Sequence, residues 1–214
     1  MMTRPLPPPL RPRLGFTLIE LLVAVAIFAL FSVMAYGGLT RLLETRARLE
    51  AEQQFWRELS LVFVRIQEDL AMARARPVRD QHGLDWRPAF DGRPTDTRVG
   101  AAPSLEFTRG GLYVLGEGAQ SDLRRIAYRL DEDGRLWRLS WPALDRAPGS
   151  TPQPELLLAQ VEDLALRFYD ERGEWRLEWP PAQGDLESLP RAVELTLALA
   201  AGRGRMTRIF LVND

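Results

Sequence analysis

Polar and apolar positions divide the chain into three regimes. Residues 16–36 are almost continuously apolar, 21 positions interrupted by Thr17, Glu20 and Ser32. As a helix rising about 1.5 Å per residue they would extend roughly 31 Å, enough to cross a bilayer core. Beyond them apolar positions recur at helical spacing. Leu42, Leu49, Trp56, Phe63 and Leu70 fall seven apart, joined by Leu59 and Ile66, and Phe55 and Val62 widen the stripe. No proline intervenes between Pro12 and Pro77. One helix from residue 16 to about residue 74, roughly 90 Å long, is therefore expected, transmembrane first and amphipathic after. Gly37-Gly38 is its weak point, each glycine costing about 1 kcal/mol against alanine and offering a bend where the chain leaves the lipid.

The seven-residue stripe is the expected contact face of this helix. Its lower half, from Trp56 through Leu59, Phe63, Ile66 and Leu70, is read as packing on the protein's own sheet. Its upper half, with Leu39, Leu42 and Leu43, is free to meet a neighbouring subunit.

Residues 76–103 lose the periodicity. Pro77, Gly83, Pro88, Gly92, Pro94, Gly100 and Pro103 punctuate them, and they read as a connecting loop. From Ser104 the period falls to two. Leu105 and Phe107 mark one strand and Leu112 to Leu115 another. Ile126, Tyr128 and Leu130 lead through Asp131-Glu132-Asp133-Gly134 to a return strand carrying Trp137, Leu139 and Trp141. Residues 156–161 are expected to add a short helical turn. A second hairpin runs from Leu164, Leu166 and Phe168 around Asp170-Glu171-Arg172-Gly173 to Trp175, Leu177 and Trp179. Val193, Leu195, Leu197 and Leu199 alternate strongly, and a last strand spans 208–212. The sum is an α+β fold: a long N-terminal α-helix, transmembrane then amphipathic, packed on antiparallel β-sheet.

Composition removes several function classes. The net charge is −1, and all 28 basic residues are arginine, which gives no reason to expect nucleic acid as a partner. Cysteine is absent, so there is neither a disulfide framework nor a thiolate metal site. The single histidine, His82, stands in a polar stretch without the pattern of a Ser-His-Asp triad. Asp80, Asp85, Asp91 and Asp96 carry oxygen ligands suited to calcium, but their spacing matches no standard calcium loop, and a solvated acidic loop is the favoured reading. The Asp131 cluster is explained by turn chemistry. No nucleophile motif or phosphate loop is present. Neither a catalytic residue, a metal nor a cofactor is expected.

Glu20 is the misplaced residue. An ionisable group in a membrane helix costs a few kcal/mol unless it finds a partner, which makes it a functional candidate. Cleavage after Gly15 would create an amino terminus at Phe16, one helical turn from Glu20. The ammonium and carboxylate of adjacent subunits would then neutralise each other inside the lipid. A secretory signal peptide would instead end in a small-residue cleavage site after its apolar core, and none follows here.

Gly15-Phe16-Thr17-Leu18-Ile19-Glu20, followed by the apolar helix, resembles the class III signal of type IV pilins and pseudopilins. That resemblance implies a pilin-like fold, cutting after Gly15 by a prepilin peptidase, N-methylation of Phe16, and an assembly role for Glu20. Further stretches resemble the J-type minor pseudopilins of type II secretion. They are Ala35-Tyr36-Gly37-Gly38-Leu39, Arg135-Leu136-Trp137-Arg138, Val161-Glu162-Asp163-Leu164, Arg167-Phe168-Tyr169-Asp170 and Leu189-Pro190-Arg191-Ala192-Val193-Glu194-Leu195.

The implied organisation is a leader at 1–15, a transmembrane segment at 16–36, an amphipathic periplasmic helix at 37–75, a connecting loop at 76–103 and a β-rich periplasmic domain at 104–214. Flanking arginines do not orient the span, because Arg4, Arg11 and Arg13 before it are matched by Arg41, Arg46 and Arg48 after it. The resemblance does, with the leader cytoplasmic and the domain periplasmic. Implied partners are pseudopilins of types I, K and H, prepilin peptidase, inner-membrane lipid and secreted substrate proteins. The implied role is structural, in a tip complex that starts the pseudopilus and supports export. A minor pilin of a type IV pilus and an anchored periplasmic binding domain or enzyme are the rival readings.

Overall fold

A computed structural model describes residues 17–80, 85–98, 102–111, 122–144, 149–182 and 184–213. Gly15, Phe16, the rest of the expected leader, His82 and the candidate strand from Leu112 to Leu115 lie outside them. The chain divides into two compact units, Met1–Gln54 and Phe55–Asp214. A single helix, α1 (Leu18–Ala71), contributes to both.

In the first unit α1 opens with a side-chain cap. The Glu20 amide donates to Thr17 Oγ1 at 3.4 Å and to Thr17 O at 3.1 Å, which supplies an acceptor to an amide that no earlier turn can satisfy. Within this unit every described residue is exposed. The hydroxyls of Ser32, Thr40 and Thr45 each donate to the carbonyl one turn back, at 2.8–2.9 Å, so none is left unsatisfied. The helix passes through Gly37 and Gly38 without interruption. Glycine loosens the backbone but keeps its N–H donor, unlike proline, so the helix is not broken there.

In the second unit α1 buries Phe55, Leu59, Val62, Phe63, Ile66, Asp69 and Leu70. It stops at Ala71, four residues short of the expected 75; the Met72 and Ala73 amides still donate to Glu68 O and Leu70 O, and from Arg74 the chain turns to the sheet. The Arg74 amide donates to Thr108 O at 2.9 Å, and the Gly110 amide donates to Met72 O at 2.9 Å.

The strands are β1 (Val78–Arg79), β2 (Trp86–Arg87), β3 (Phe90–Gly92), β4 (Leu105–Arg109), β5 (Arg124–Leu130), β6 (Leu136–Trp141), β7 (Gln153–Leu158), β8 (Val161–Tyr169), β9 (Trp175–Arg176), β10 (Ala192–Leu199) and β11 (Gly204–Leu211). β1 and β2 pair alone. The run from β3 to β7 forms a five-stranded sheet in chain order, and a four-stranded sheet has the order β11-β10-β8-β9. Every pairing is antiparallel. Residues of α1 and of both larger sheets share one apolar core.

Several expectations need correction. Residues 76–103 carry three short strands rather than only loop, and β3 extends the five-stranded sheet. Residues 153–158 form the edge strand β7, not part of a helical turn; their consecutive leucines carry no alternation to read. In β6 the core-facing residue is Leu136, while Leu139 and Trp141 join Ala127 in a small cluster on the other face. That assignment follows from the register, which sets Tyr128 opposite Arg138 and Ala127 opposite Leu139.

Of the expected return strand after Gly173, only Trp175 and Arg176 pair with β8, and Leu177 is exposed. Trp179 instead exchanges two 2.8 Å backbone hydrogen bonds with Gly92 of β3. A Cβ on Gly92 would lie 2.0 Å from the Phe168 ring, so only glycine allows β3 this close to the core.

Candidate assembly surface

The apolar span of α1 is exposed along its length, and its most apolar 18 residues average a hydropathy of 2.6. Glu20 lies in the first turn, where the positive end of the helix dipole favours a carboxylate. Among the described residues its carboxylate has no partner. The two processing candidates, Gly15 and Phe16, fall outside the described residues.

The predicted contact stripe splits. Leu59, Phe63, Ile66 and Leu70 are buried in the protein's own core, whereas Leu42 and Leu49 are exposed. Trp56 is not a core residue: it stays 38% exposed and meets the neighbouring Phe55 ring edge-on at 5.5 Å. The buried register is Phe55, Val62 and then Asp69, one heptad apart.

Asp69 was missed by sequence reading. It is fully buried and accepts from the Tyr128 hydroxyl on Oδ2 at 2.7 Å and from Arg138 Nε on Oδ2 at 2.6 Å. Arg138 Nη2 donates to its Oδ1 at 3.2 Å, and Arg109 forms an ion pair with the same oxygen at 2.8 Å. Glu155 continues the network, 3.2 Å from Arg138 and 3.7 Å from Arg65. Burial pushes the Tyr128 hydroxyl pKa well up, and the neighbouring Asp69 charge adds to the rise. For Arg138 burial alone would lower the pKa, but the hydrogen bond and charge of Asp69 outweigh it and raise it. The available signal was a carboxylate at the seventh position after Val62, on the apolar face itself.

The acidic clusters serve local structure. Asp131 Oδ1 accepts from the amides of Asp133 and Arg135, and Oδ2 accepts from Trp137 Nε1 at 2.8 Å. Asp170 does the same at the second hairpin with the amides of Arg172 and Glu174 and with Arg176 Nε. In the 85–98 stretch, Asp91 pairs with Arg93 and Asp96 with Arg98. Hydrogen bonds from Arg98 hold Asp96 down at about 2. Among the described residues no group of three or more His, Cys, Asp and Glu is placed to hold a metal ion.

A capped, apolar N-terminal helix carrying an early glutamate, continued into an antiparallel β domain, defines a pilin-like subunit. Residues 10–36 match the prokaryotic N-terminal methylation motif, and residues 37–212 match the family described as type II secretion system (T2SS), protein J. The chain is 31% identical over 200 residues to type II secretion system protein J of Klebsiella pneumoniae, covering 93% of this chain and 94% of that one. To the protein of the same description from Escherichia coli it is 31% identical over 207 residues, covering 95% and 98%. Its fold is similar to a chain in the crystal structure of the GspK-GspI-GspJ complex from enterotoxigenic Escherichia coli, with TM-score 0.62, 28% identity, and coverage of 74% of this chain and 97% of that one. The chain belongs to the type II secretion system protein J family of pseudopilins. Of the rival readings, this family favours type II secretion over a type IV pilus.

Proposed function

We propose that this chain is a structural minor pseudopilin of the tip complex that initiates the type II secretion pseudopilus and supports protein export across the outer membrane. The observation that carries the reading is the adjoining of two matches, the methylation motif at 10–36 and the J family at 37–212. In this reading residues 1–15 are a leader that prepilin peptidase removes after Gly15, and Phe16 becomes the methylated amino terminus. Residues 16–36 then anchor the chain in the inner membrane with the domain periplasmic, and Glu20 enters assembly by meeting the Phe16 ammonium of an adjacent subunit. The I and K types are its partners, as in the E. coli complex, with the H type and secreted substrates as further contacts. It carries out no chemistry of its own.

Two measurements test the reading. Mass spectrometry of membrane-extracted protein, with and without prepilin peptidase, should give a chain starting at methylated Phe16 only when the peptidase is active. Co-purification of the mature chain with the I and K types should follow. An uncut chain beside active peptidase, or a processed chain that recovers neither partner, would overturn it.

A further inference from the structure

Thr108 of β4 gathers arginines beyond the C-terminal turn of α1. Its carbonyl accepts the Arg74 amide at 2.9 Å, and its hydroxyl donates to Arg76 O at 2.7 Å. The same hydroxyl oxygen accepts from Arg125 Nη1 at 3.2 Å. Arg124 precedes Arg125 at the start of β5, opposite Arg109. The β1–β2 ladder follows Arg76 and sets Arg79 opposite Trp86 and Arg87 opposite Val78. Val78 is buried, while Trp86 stays 49% exposed with the Arg79 guanidinium 5.1 Å from its ring centre.

Arg109 pairs with Asp69 and Arg125 with Glu106, but Arg74, Arg76, Arg79, Arg87 and Arg124 form no ion pair among the described residues. Arg74 donates to Asn213 Oδ1 instead, at 2.8 Å. Asp80, Asp85 and Asp122 share this end, the first accepting the Asp85 amide at 3.4 Å, yet none forms an ion pair with those five arginines. Elsewhere in the sheets Arg167 meets Glu194 at 2.7 Å and Arg176 meets Asp170 at 2.8 Å.

Positive charge is in excess here. Arg125 is fully buried, and its Nη2 has no hydrogen-bond partner among the described residues. Burial pushes its pKa down, Glu106 and Asp91 oppose that, and the charge of Arg87 pushes it further down.

Unpaired arginines draw a counter-charge from outside the chain, and their forks take carboxylates bidentately. The five come from three separate segments, so a single small anion meets only part of them. An extended chain carrying several carboxylates spans them, and the Trp86 ring offers it a flat apolar contact. The apolar span that anchors the protein begins α1, whereas this cluster follows its last turn, which sets aside lipid headgroups as the counterpart.

We propose that this arginine cluster, with Trp86 beside it, docks an extended acidic segment of a partner protein, whose carboxylates meet Arg76, Arg79 and Arg87.

Full-length protein in detergent, titrated into a fluorescein-labelled octaglutamate peptide and followed by anisotropy, tests this. The wild-type chain should bind the peptide, more tightly at low than at high ionic strength. Arg79→Glu with Arg87→Glu should weaken binding at least about tenfold without moving the unfolding temperature, and Trp86→Ala should weaken it about threefold. Arg57→Glu with Arg205→Glu makes the same change of charge at exposed positions on α1 and β11. That pair should weaken binding less than about twofold.

Equal losses from the two pairs would mean a diffuse field rather than a site, and overturn the proposal. Absence of peptide binding by the wild-type chain overturns it too. So does displacement of the peptide by soluble dihexanoyl phosphatidylglycerol at lower concentration than by unlabelled octaglutamate, which would assign the cluster to a lipid headgroup. Should the doubly charge-reversed chain fail to fold, Arg79→Gln and Arg87→Gln singly replace it, each expected to weaken binding about threefold. Unchanged binding in both would remove the site.

Discussion

The Tyr128 hydroxyl donates a 2.7 Å hydrogen bond to Asp69 across the interface between α1 and β5, with both residues buried. Arg138 reaches the same carboxylate from β6. These bonds hold the helix at one rotation, because Asp69 finds donors only when Phe55, Val62 and Ile66 face the sheets. An apolar seam would tolerate a turned helix; a buried carboxylate with paired arginines does not.

Removing Asp69 should therefore be expensive. Asp69→Ala leaves buried Arg109 without its carboxylate and Arg138 with only the half-exposed Glu155, and breaking such a buried pair costs about 3–5 kcal/mol. Tyr128→Phe deletes one hydrogen bond to a charged group, with an expected loss of about 1.5–3 kcal/mol. Urea unfolding of the full chain in detergent measures both. If Asp69→Ala stayed within about 1 kcal/mol of wild type, the network would not be what fixes the helix.

The same contact predicts an alkaline limit. The Tyr128 pKa is raised well above its usual value of 10 by burial, with the Asp69 charge adding to it. Below pH 10 the folded and unfolded chains both keep this proton, and the contribution is complete. Above about 10 the unfolded chain ionises Tyr128 while the folded chain does not, so stability falls as pH rises toward the folded pKa. The slope from this group is at most about 1.4 kcal/mol per pH unit. Tyr128→Phe should show a shallower decline between pH 10 and 11 than wild type, and equal slopes would contradict the assignment.

How much of this was legible in the sequence depended on whether each element's pattern had one meaning. Val193, Leu195, Leu197 and Leu199 alternate and are all buried, because β10 is flanked on both sides and has one wet face. The hairpin turns were readable for a similar reason: an aspartate three residues before a glycine has few other uses. In β6 alternation was present but misled. Leu139 and Trp141 looked like the core face, yet the helix side carries Arg138, a charge tolerable there only because Asp69 lies across from it. That pairing is 69 residues apart in the chain, beyond any local window. The same limit hid β3 and Trp179, whose backbone partners come from distant segments. Glu20 stood out without a structure, since a carboxylate in an apolar run is anomalous by position alone.

Gly134 should be less replaceable than its hairpin type implies. Its φ is +70°, and an added Cβ would lie 2.6 Å from Val161 O, whose own amide donates to Gly134 O at 2.9 Å. Gly202 has a comparable φ of +71° with nothing within 4 Å. Alanine at either site bears the left-handed backbone strain of about 1–2 kcal/mol, and only Gly134→Ala adds the collision. Gly134→Ala should thus unfold at lower urea than Gly202→Ala, and the difference reads the contact with Val161 free of the strain.

Glu20 gives the most direct test of assembly. Its amide is satisfied by Thr17, but its carboxylate has no partner among the described residues, and it begins a helix whose apolar span is fully exposed. Left alone in lipid, that charge costs a few kcal/mol. The cost disappears if an ammonium one helical turn away, on an adjacent subunit, shares the same depth. Glu20→Leu should then insert at least as well as wild type and be cleaved normally, while recovering the I and K types at least about tenfold less efficiently, since even 2 kcal/mol of lost pairing is roughly thirtyfold in affinity. Glu20→Gln should behave similarly, because an amide replaces the shape without the charge. Quantitative mass spectrometry of the partners retained by tagged protein would decide it. Wild-type recovery by Glu20→Leu would mean the carboxylate is not what brings the subunits together, and the contact would have to reside in the helix faces below the membrane.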